Sequence, residues 1–387
     1  MKRPVAASIF AFVLLTPLSG ALAGYSSLFV FGDSLSDSGN NAVVLAPSVT
    51  PVPISGNSFI PIFPYAFGQY TNAHVWAQIL ASSLGLSANP SLLGGTDYAF
   101  GGALTGPLTP NPFPGGLTNP FPPSLETQAA FFLSQHGPVI PGDALYVVEG
   151  GGDNARQALD AAGGCGGNPA CIIGIIQSTT AAYVGDIKTI DTELEAPGAK
   201  NIVVWNAPNI GETPAVLAAG PVASMLGTMI ASAMNNALSA AIGSDPDIKL
   251  FDIFGLMNDA IAHPGAFNLS NVTDACAQFT ACDPSTFLFW DGIHPTSATE
   301  TIISDAIESL VVPEPSSLAL LAVALLGLAF VRCAGAKRVW AVGIDAAHRR
   351  VAAVSIARTH SVKPANTRSP IRCWISLPWR TSRGALL

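Results

Sequence analysis

Short apolar runs rich in β-branched and aromatic residues alternate with longer helical stretches over the first 310 residues of this 387-residue chain. Runs typical of buried strands lie at 27–32, 96–100, 144–149, 201–206 and 248–254. Helical stretches occupy 73–84, 178–194, 215–241 and 297–310. Because a helical crossover returns the chain to the same edge of the sheet, such strands run parallel. We therefore expect an α/β fold, a three-layer α/β/α sandwich around a parallel five-stranded sheet.

A serine, an aspartate and a histidine stand beside these elements. Ser34 follows the first strand within Gly-Asp-Ser-Leu, and Asp291 and His294 lie three residues apart just before the last helix. Residues that follow parallel strands gather at the carboxyl edge of the sheet. A serine hydroxyl needs an imidazole to accept its proton and a carboxylate to orient that imidazole. Each motif alone is also typical of a turn, but their joint order predicts a nucleophilic centre.

Two glycine-rich segments, at 101–102 and 150–152, are candidates for donating backbone N–H groups to an oxyanion. With them, the chain resembles the GDSL family of SGNH hydrolases, whose motif blocks carry Ser, Gly, Asn and His in this order. The resemblance spans about residues 27–310 and implies a flavodoxin-like fold. It implies that Ser34 is the nucleophile, that Asp291 and His294 complete the triad, and that the N–H groups of Ser34 and Gly102 form part of the oxyanion hole.

The third block departs from that family. The family reads Gly-x-Asn-Asp and uses the Asn amide as an oxyanion donor, whereas this chain reads Gly151-Gly152-Asp153-Asn154. An ionised aspartate only accepts hydrogen bonds and repels an oxyanion. Three alternatives are open: the loop shifts so that Asn154 donates, Asp153 is protonated, or the enzyme is impaired. We expect Asn154 to donate.

Both ends of the chain carry targeting signals. Residues 1–23 have the charged start, apolar run and small-residue cleavage site of a secretory signal peptide. Residues 312–333 resemble a PEP-CTERM sorting signal, with a Val-Pro-Glu-Pro box, one apolar transmembrane run and a basic stop. This resemblance implies processing by an exosortase, a transient inner-membrane anchor, and release to the cell surface, extracellular matrix or periplasm of a Gram-negative-type bacterium. The expected hydrolase domain is 24–311.

The basic residues are concentrated beyond that domain. Residues 332–387 hold 11 of the 17 Lys and Arg residues and one of the 25 Asp and Glu residues. We interpret residues 334–387 as a basic tail that is either disordered or the product of read-through. The domain before it has only four Lys and Arg residues, which argues against binding to nucleic acid or to an anionic membrane surface. No metal-ligand spacing or phosphate-binding loop is visible, so we expect no metal and no cofactor.

The cysteines fit an exported protein. Cys165 and Cys171 are six residues apart, as are Cys276 and Cys282. Two local disulfides are expected in an oxidising compartment, although four cysteines allow three pairings. Cys333 and Cys373 lie outside the expected domain and are predicted to be free.

Two uncharged segments, 46–67 and 105–123, follow the Ser34 and Gly102 motifs. Loops of this length are often functional. Their aromatic side chains either line an acyl pocket or anchor the loops to the body of the domain. These side chains are Phe59, Phe63, Phe67, Phe113 and Phe121.

The sequence thus predicts an exported serine ester hydrolase of the esterase or lipase type that acts on a small-molecule, lipid or polysaccharide ester through an acyl-enzyme. A catalytically impaired surface or matrix binding module on the same fold is one alternative. An acyltransferase is another, since it differs only in whether water or an alcohol resolves the acyl-enzyme.

Overall fold

A computed structural model describes residues 24–45, 68–107 and 121–312 of the protein. The signal peptide at 1–23, the segment at 46–67, most of the segment at 105–123, and the sorting segment and tail beyond residue 312 lie outside the described residues. So do Phe59, Phe63, Phe67, Phe113, Cys333 and Cys373.

A parallel sheet forms the centre of the domain. Its strands are β1 (Leu28–Phe31), β2 (Leu145–Val148), β3 (Asn201–Trp205) and β4 (Ile248–Phe251), in the spatial order β1-β2-β3-β4. The register pairs Leu28 with Leu145 and Ile202 with Ile248. Each strand lies within a run that the sequence predicted, and each is shorter than that run by one to three residues.

The fifth strand, expected at 96–100, is not a regular strand, and among the described residues the main sheet has four strands. The segment still runs beside β1: Val30 N donates to Thr96 O, and Tyr98 N donates to Val30 O. Only one parallel bridge, between Val30 and Asp97, results. The segment also bonds to the chain at 89–91, because Asp97 N donates to Asn89 O and Asp97 O accepts from Ser91 N. Phe100 N also donates to Gly32 O, so the segment stays beside the chain that leads to Ser34 without forming a regular strand.

The helices surround this sheet. They are α1 (Asn40–Leu45), α2 (Trp76–Ser83), α3 (Leu125–His136), α4 (Gly152–Gly163), α5 (Pro169–Glu195), α6 (Pro214–Ala218), α7 (Pro221–Ile242), α8 (Ile253–Ala262) and α9 (Ser297–Val311). Short 3-10 helices lie at Ser91–Leu93, Ile210–Glu212, Pro264–Phe267, Cys276–Gln278 and Pro284–Thr286.

Two predicted helices differ in their bounds for local reasons. The helix expected at 178–194 begins at Pro169, because the Asn168 side chain caps it by accepting from Ala170 N. The helix expected at 215–241 is divided into α6 and α7 at Gly220, whose φ is +101°. The proline that follows lacks an N–H and is accepted only in the first turn of the new helix. Within the described part of the chain, α5 and α7 are long and apolar enough to cross a membrane. Both contribute buried side chains to the core described next, as core helices of this kind do.

The sheet is covered on both faces, which makes three layers. Side chains alternate along each strand, so that Phe29 and Tyr146 point to one core and Leu28 and Leu145 to the other. The first core contains residues of α3, α4, α5 and α7, and the second contains residues of α2, α8 and α9. The predicted α/β/α sandwich is therefore confirmed.

A smaller parallel pair, β5 (Asn271–Ala275) and β6 (Phe287–Phe289), lies just before α9. A disulfide between Cys276 and Cys282 closes the chain between these strands, and a second joins Cys165 to Cys171 in the first turn of α5. These are the two local pairings that the spacing favoured. The first fixes the segment that leads into Asp291.

Candidate active site

Ser34, His294 and Asp291 form one hydrogen-bonded line at the carboxyl edge of the main sheet. Ser34 lies three residues after the end of β1. Its Oγ is 2.8 Å from His294 Nε2, and His294 Nδ1 is 2.7 Å from Asp291 Oδ2. All three side chains are buried. With Nδ1–H donated to the carboxylate, Nε2 is left to accept the serine proton, which is the arrangement that activates a hydroxyl.

The loop that carries the histidine is organised around the same carboxylate. The second oxygen of Asp291, Oδ1, accepts from Ile293 N at 2.8 Å and from His294 N at 2.6 Å. Trp290 N donates to His294 O and closes the turn. Because backbone N–H donors stabilise an ionised carboxylate, the Asp-x-x-His spacing holds both the charge and the ring in place.

Tyr70 packs against the imidazole. Its ring centroid is 5.0 Å from that of His294, and its hydroxyl accepts from Asn41 Nδ2 at 2.7 Å. The tyrosine ring also lies so close to Gly101 that a β-carbon there would overlap it. A glycine is therefore needed at 101 for tyrosine to occupy this place. The sequence analysis did not identify Tyr70 as a neighbour of the histidine.

The backbone that precedes the nucleophile is held by side chains from β2 and α3. Gln128 accepts from Gly32 N and donates to Gly32 O, both at 2.9 Å. Glu149 Oε2 accepts from Asp33 N at 3.0 Å and from Ser36 Oγ at 2.9 Å. Burial raises the pKa of both Asp33 and Glu149, and the Glu149 charge raises that of Asp33 further. The sequence analysis missed these roles of Gln128 and Glu149. Glu149 directly follows a buried strand, and a carboxylate at such a position indicates a polar partner.

Asp37 connects the backbone around Ser34 to the glycine segment at 101–102. Asp37 Oδ2 accepts from Gly101 N at 3.0 Å and so ties the Ser34 loop to the glycine segment. Burial raises the pKa of Asp37 to about 6, although four backbone N–H groups oppose this rise. Gly102 has φ +83°, a region that favours glycine. Among the described residues, the N–H groups of Ser34 and Gly102 form no backbone hydrogen bond.

The third block supplies a carboxylate to the pocket and no amide. Asn154, the donor that the sequence analysis expected, is turned to Thr105: its Oδ1 accepts from Thr105 N at 3.2 Å, and its Nδ2 donates to Thr105 Oγ1 at 3.0 Å. Asp153 instead lines the pocket beside Ser34 and His294. No one-residue shift of the loop has occurred, because Gly151 with φ +106° caps α4 and fixes Asp153 in the first turn.

Arg156 pairs with this carboxylate. Its Nη1 lies 3.1 Å from Asp153 Oδ1, and both side chains line the pocket. Burial raises the pKa of Asp153, and the positive charge of Arg156 lowers it in part. Sequence reasoning did not single out this arginine, although it is the only arginine between residues 24 and 331.

The empty space of the whole pocket, part of it open to solvent, is about 820 Å³, and most of the remaining lining is apolar. The apolar part extends from Ser34 and His294 between α8, β6 and α9. The side chains that line this part are Ile253, Leu256, Met257, Ala260, Leu288, Phe289, Ile302 and Ile303. Of the aromatic residues expected to line an acyl pocket, Phe121 is described and packs edge-on against Phe100. The pocket wall therefore comes from helices that sequence reasoning did not assign to the site. Within the described ranges, no group of three or more His, Cys, Asp or Glu side chains could hold a metal ion.

Comparison with protein families agrees with this geometry. A family model described as GDSL-like lipase/acylhydrolase matches residues 28–307, and a PEP-CTERM protein-sorting motif matches residues 311–332.

Individual relatives are distant. Esterase EstA of Pseudomonas aeruginosa is 26% identical over 340 residues, which cover 80% of this chain and 50% of the esterase. A GDSL esterase/lipase of Arabidopsis thaliana is 25% identical over 338 residues, 78% of this chain and 95% of the plant protein. The chain spans about half the length of the bacterial relatives that head the comparison. Among solved structures, phospholipase A1 from Streptomyces albidoflavus is 17% identical, with a TM-score of 0.40 over 73% of this chain and 98% of that one.

Proposed function

Since the chain belongs to the GDSL lipase/acylhydrolase family, we propose that it is an exported serine hydrolase that cleaves carboxylic esters through an acyl-enzyme. The single observation that carries this proposal is the line from Ser34 Oγ through His294 to Asp291, with bonds of 2.8 and 2.7 Å. The family match supports an ester hydrolase, and the triad supplies the mechanism that we add to it.

The chemistry follows from which atoms the line joins. Ser34 Oγ bonds to the ester carbonyl carbon while its proton passes to His294 Nε2 and the carbonyl electron pair moves to oxygen. The N–H groups of Ser34 and Gly102 stabilise that oxyanion. Collapse of the intermediate breaks the bond to the leaving alkoxide, which takes the proton from Nε2. Water then repeats the sequence on the acyl-enzyme and releases the acid.

The apolar part of the pocket supports an aliphatic acyl ester as the substrate. Each buried methylene contributes roughly 0.8 kcal/mol, so a pocket formed by α8, β6 and α9 favours longer acyl chains over acetate. In this proposal, the acyl chain of the substrate lies between Met257 and Ile302, and the alcohol leaves toward solvent.

The sorting motif marks the protein for export and membrane anchoring in Gram-negative bacteria. We assign residues 24–311 to the hydrolase domain and residues 312–333 to a transient inner-membrane anchor that an exosortase processes. Hydrolysis would then take place at the cell surface, in the extracellular matrix or in the periplasm. The two disulfides of the domain are compatible with each of these oxidising locations.

The test is hydrolysis of p-nitrophenyl acetate, butyrate and octanoate by the full chain purified in detergent, with Ser34→Ala beside it. We expect turnover that falls to background in Ser34→Ala. Ser27→Ala is the matched control, because this serine lies just before β1 and its hydroxyl bonds only to the neighbouring Ser26 O. Equal activity in wild type and Ser34→Ala would refute the proposal. Transfer to an added alcohol in preference to water would assign the protein to acyltransferases instead.

A further inference from the structure

Residue 153 occupies the position at which the family has an oxyanion donor, and here it is an aspartate paired with Arg156. Asp153 lies in the first turn of α4 and lines the pocket with Ser34 and His294. An ionised carboxyl only accepts hydrogen bonds, so it cannot donate to an oxyanion. In a pocket with few polar groups, its charge also opposes the negative charge that forms during attack.

The neighbouring amide does not take over this task. Both polar atoms of the Asn154 side chain are bonded to Thr105, and the residue is buried away from the pocket. To donate to an oxyanion, Asn154 would have to break two hydrogen bonds inside the domain. The third block therefore contributes no side-chain amide to the reaction.

Arg156 lies where its positive charge can offset the negative charge of Asp153. It lies one helical turn after Asp153, and the exposed fractions of the two side chains are 22% and 13%. The other basic residues between 24 and 331 are Lys188, Lys200 and Lys249, and none of them lines the pocket. Arg156, the only arginine between residues 24 and 331, therefore lines the same pocket as Ser34.

An ion pair in this setting acts differently from one at the surface. Exposed ion pairs contribute little to stability, because water and salt screen their charges. The charges of a pair that is mostly shielded from water interact more strongly with each other and with nearby groups. Removing one member leaves the other charge buried and uncompensated. The effect of either substitution should therefore depend on whether the partner is present.

We propose that Arg156 neutralises Asp153, so that the carboxylate at the donor position does not oppose the oxyanion that forms beside Ser34. This inference rests on the proposed function and names a positioning residue for it. Arg156 acts through Asp153, and its importance should disappear when residue 153 is an amide. A residue that merely stabilised the fold would show no such dependence.

The test compares four forms of the full chain on p-nitrophenyl butyrate: wild type, Arg156→Gln, Asp153→Asn and the double variant. An uncompensated carboxylate beside the oxyanion should cost about as much turnover as the loss of one donor, about 100- to 1,000-fold, so we expect kcat to fall about 100-fold in Arg156→Gln with KM changed by less than about threefold. Asp153→Asn should be at least as active as wild type. The double variant should recover at least about tenfold over Arg156→Gln.

Matched variants separate the pair from general charge and fold effects. Lys188→Gln removes one exposed positive charge on α5 and should leave kcat unchanged. Arg156→Lys keeps the charge and should retain more activity than Arg156→Gln. If Arg156→Gln fails to fold, the double variant is compared with Asp153→Asn, and the inference then expects kcat values that agree within about threefold.

Three results would overturn the inference. One is an Arg156→Gln protein with the kcat of wild type. Another is a folded double variant no better than Arg156→Gln, or more than about tenfold below Asp153→Asn. The third is an inactive wild type whose Asp153→Asn variant is active, since the triad would then work and the arginine would have failed to compensate. Activity in none of the forms would remove the proposed function and this inference together.

Discussion

The two walls of the active-site pocket are built on different principles. The polar wall consists of Asp33, Asp153 and Arg156, from the end of β1 and the first turns of α4. The apolar wall consists of Ile253, Leu256, Met257, Ala260, Leu288 and Ile302, from α8, β6 and α9. Ser34 and His294 lie where the two walls meet. In the polar wall, Asp153 pairs with Arg156 and Asp33 accepts from Leu35 N, whereas the apolar wall offers only shape and surface.

This difference separates catalysis from selection. The negative charge that develops on the carbonyl oxygen is common to all esters, so the polar wall should affect their turnover alike. The apolar wall contacts only the chain of the substrate, so its contribution should grow with chain length. Substitutions can therefore be sorted by whether their effect depends on the acyl chain.

The largest expected effect is that of Asp291→Asn, which alters the partner of His294, the residue at which the two walls meet. The amide would still accept from backbone N–H groups, but it would no longer hold Nδ1–H of His294 with a charge. Loss of the orienting carboxylate typically lowers kcat about 10⁴-fold. We expect this loss on acetate, butyrate and octanoate alike, as measured by initial rates.

Asp160→Asn on the exposed side of α4 is the control, and its kcat should equal that of wild type. A loss in Asp291→Asn that varied more than about tenfold with chain length would break the separation of the two walls. A loss below about tenfold throughout would exclude Asp291 as the orienting acid.

A smaller and selective effect is expected from Met257→Trp, which places a larger side chain in the apolar wall. Met257 is partly buried on α8, so the change fills pocket volume without replacing a fully buried core residue. One methylene in an apolar pocket is worth about 10- to 200-fold in discrimination. The ratio of kcat/KM for octanoate to that for acetate should therefore fall at least about tenfold, with the acetate value nearly unchanged.

The matched control is Met225→Trp, at an exposed position of α7 outside the pocket. It should leave the ratio unchanged. An unchanged ratio in Met257→Trp would mean that the acyl chain does not use this wall, and equal losses on both esters would mean that the walls are not separable.

The polar residues at the centre of the site were predictable, because their chemistry has few alternatives. Ser34, Asp291 and His294 are recognisable as residue types at strand and helix boundaries, and the structure brings them together as expected. The four strands of the main sheet were also found, since apolar β-prone runs between helices leave little choice.

The surroundings of the site were less predictable, because they depend on tertiary contacts. Whether Asp153 or Asn154 enters the pocket is decided by the Gly151 cap and by Thr105, 49 residues away from Asn154. The apolar wall combines α8, β6 and α9, and no local pattern shows that these elements meet. The fifth strand was expected from its composition, but the segment forms only an isolated bridge with β1, at Val30 and Asp97.

Asp191, a buried carboxylate in neither wall, should affect stability and leave catalysis unchanged. It lies on α5, and neither of its carboxylate oxygens has a hydrogen-bond partner among the described residues. Burial raises its pKa to about 8, and the charges of Glu195 and Asp245 add to this rise. Between about pH 4 and pH 8 the folded protein therefore holds a proton that the unfolded chain releases, so this group lowers the free energy of unfolding as pH rises.

Asp191→Asn should remove that contribution. At pH 8 we expect the variant to exceed wild type in the free energy of unfolding by a few kcal/mol, since each pKa unit corresponds to ~1.4 kcal/mol. At pH 5 the difference should be smaller, and kcat should be unchanged at both. Other buried carboxyls with raised pKa values, such as Glu300, give wild type a slope of the same sign, so urea unfolding must compare the variant with wild type at each pH. Glu193→Gln, at an exposed position of the same helix, should show no such difference. If Asp191→Asn gained no stability at pH 8, Asp191 would ionise in the folded protein with little penalty. If the variant had a lower kcat, a polar residue outside the pocket would also affect catalysis.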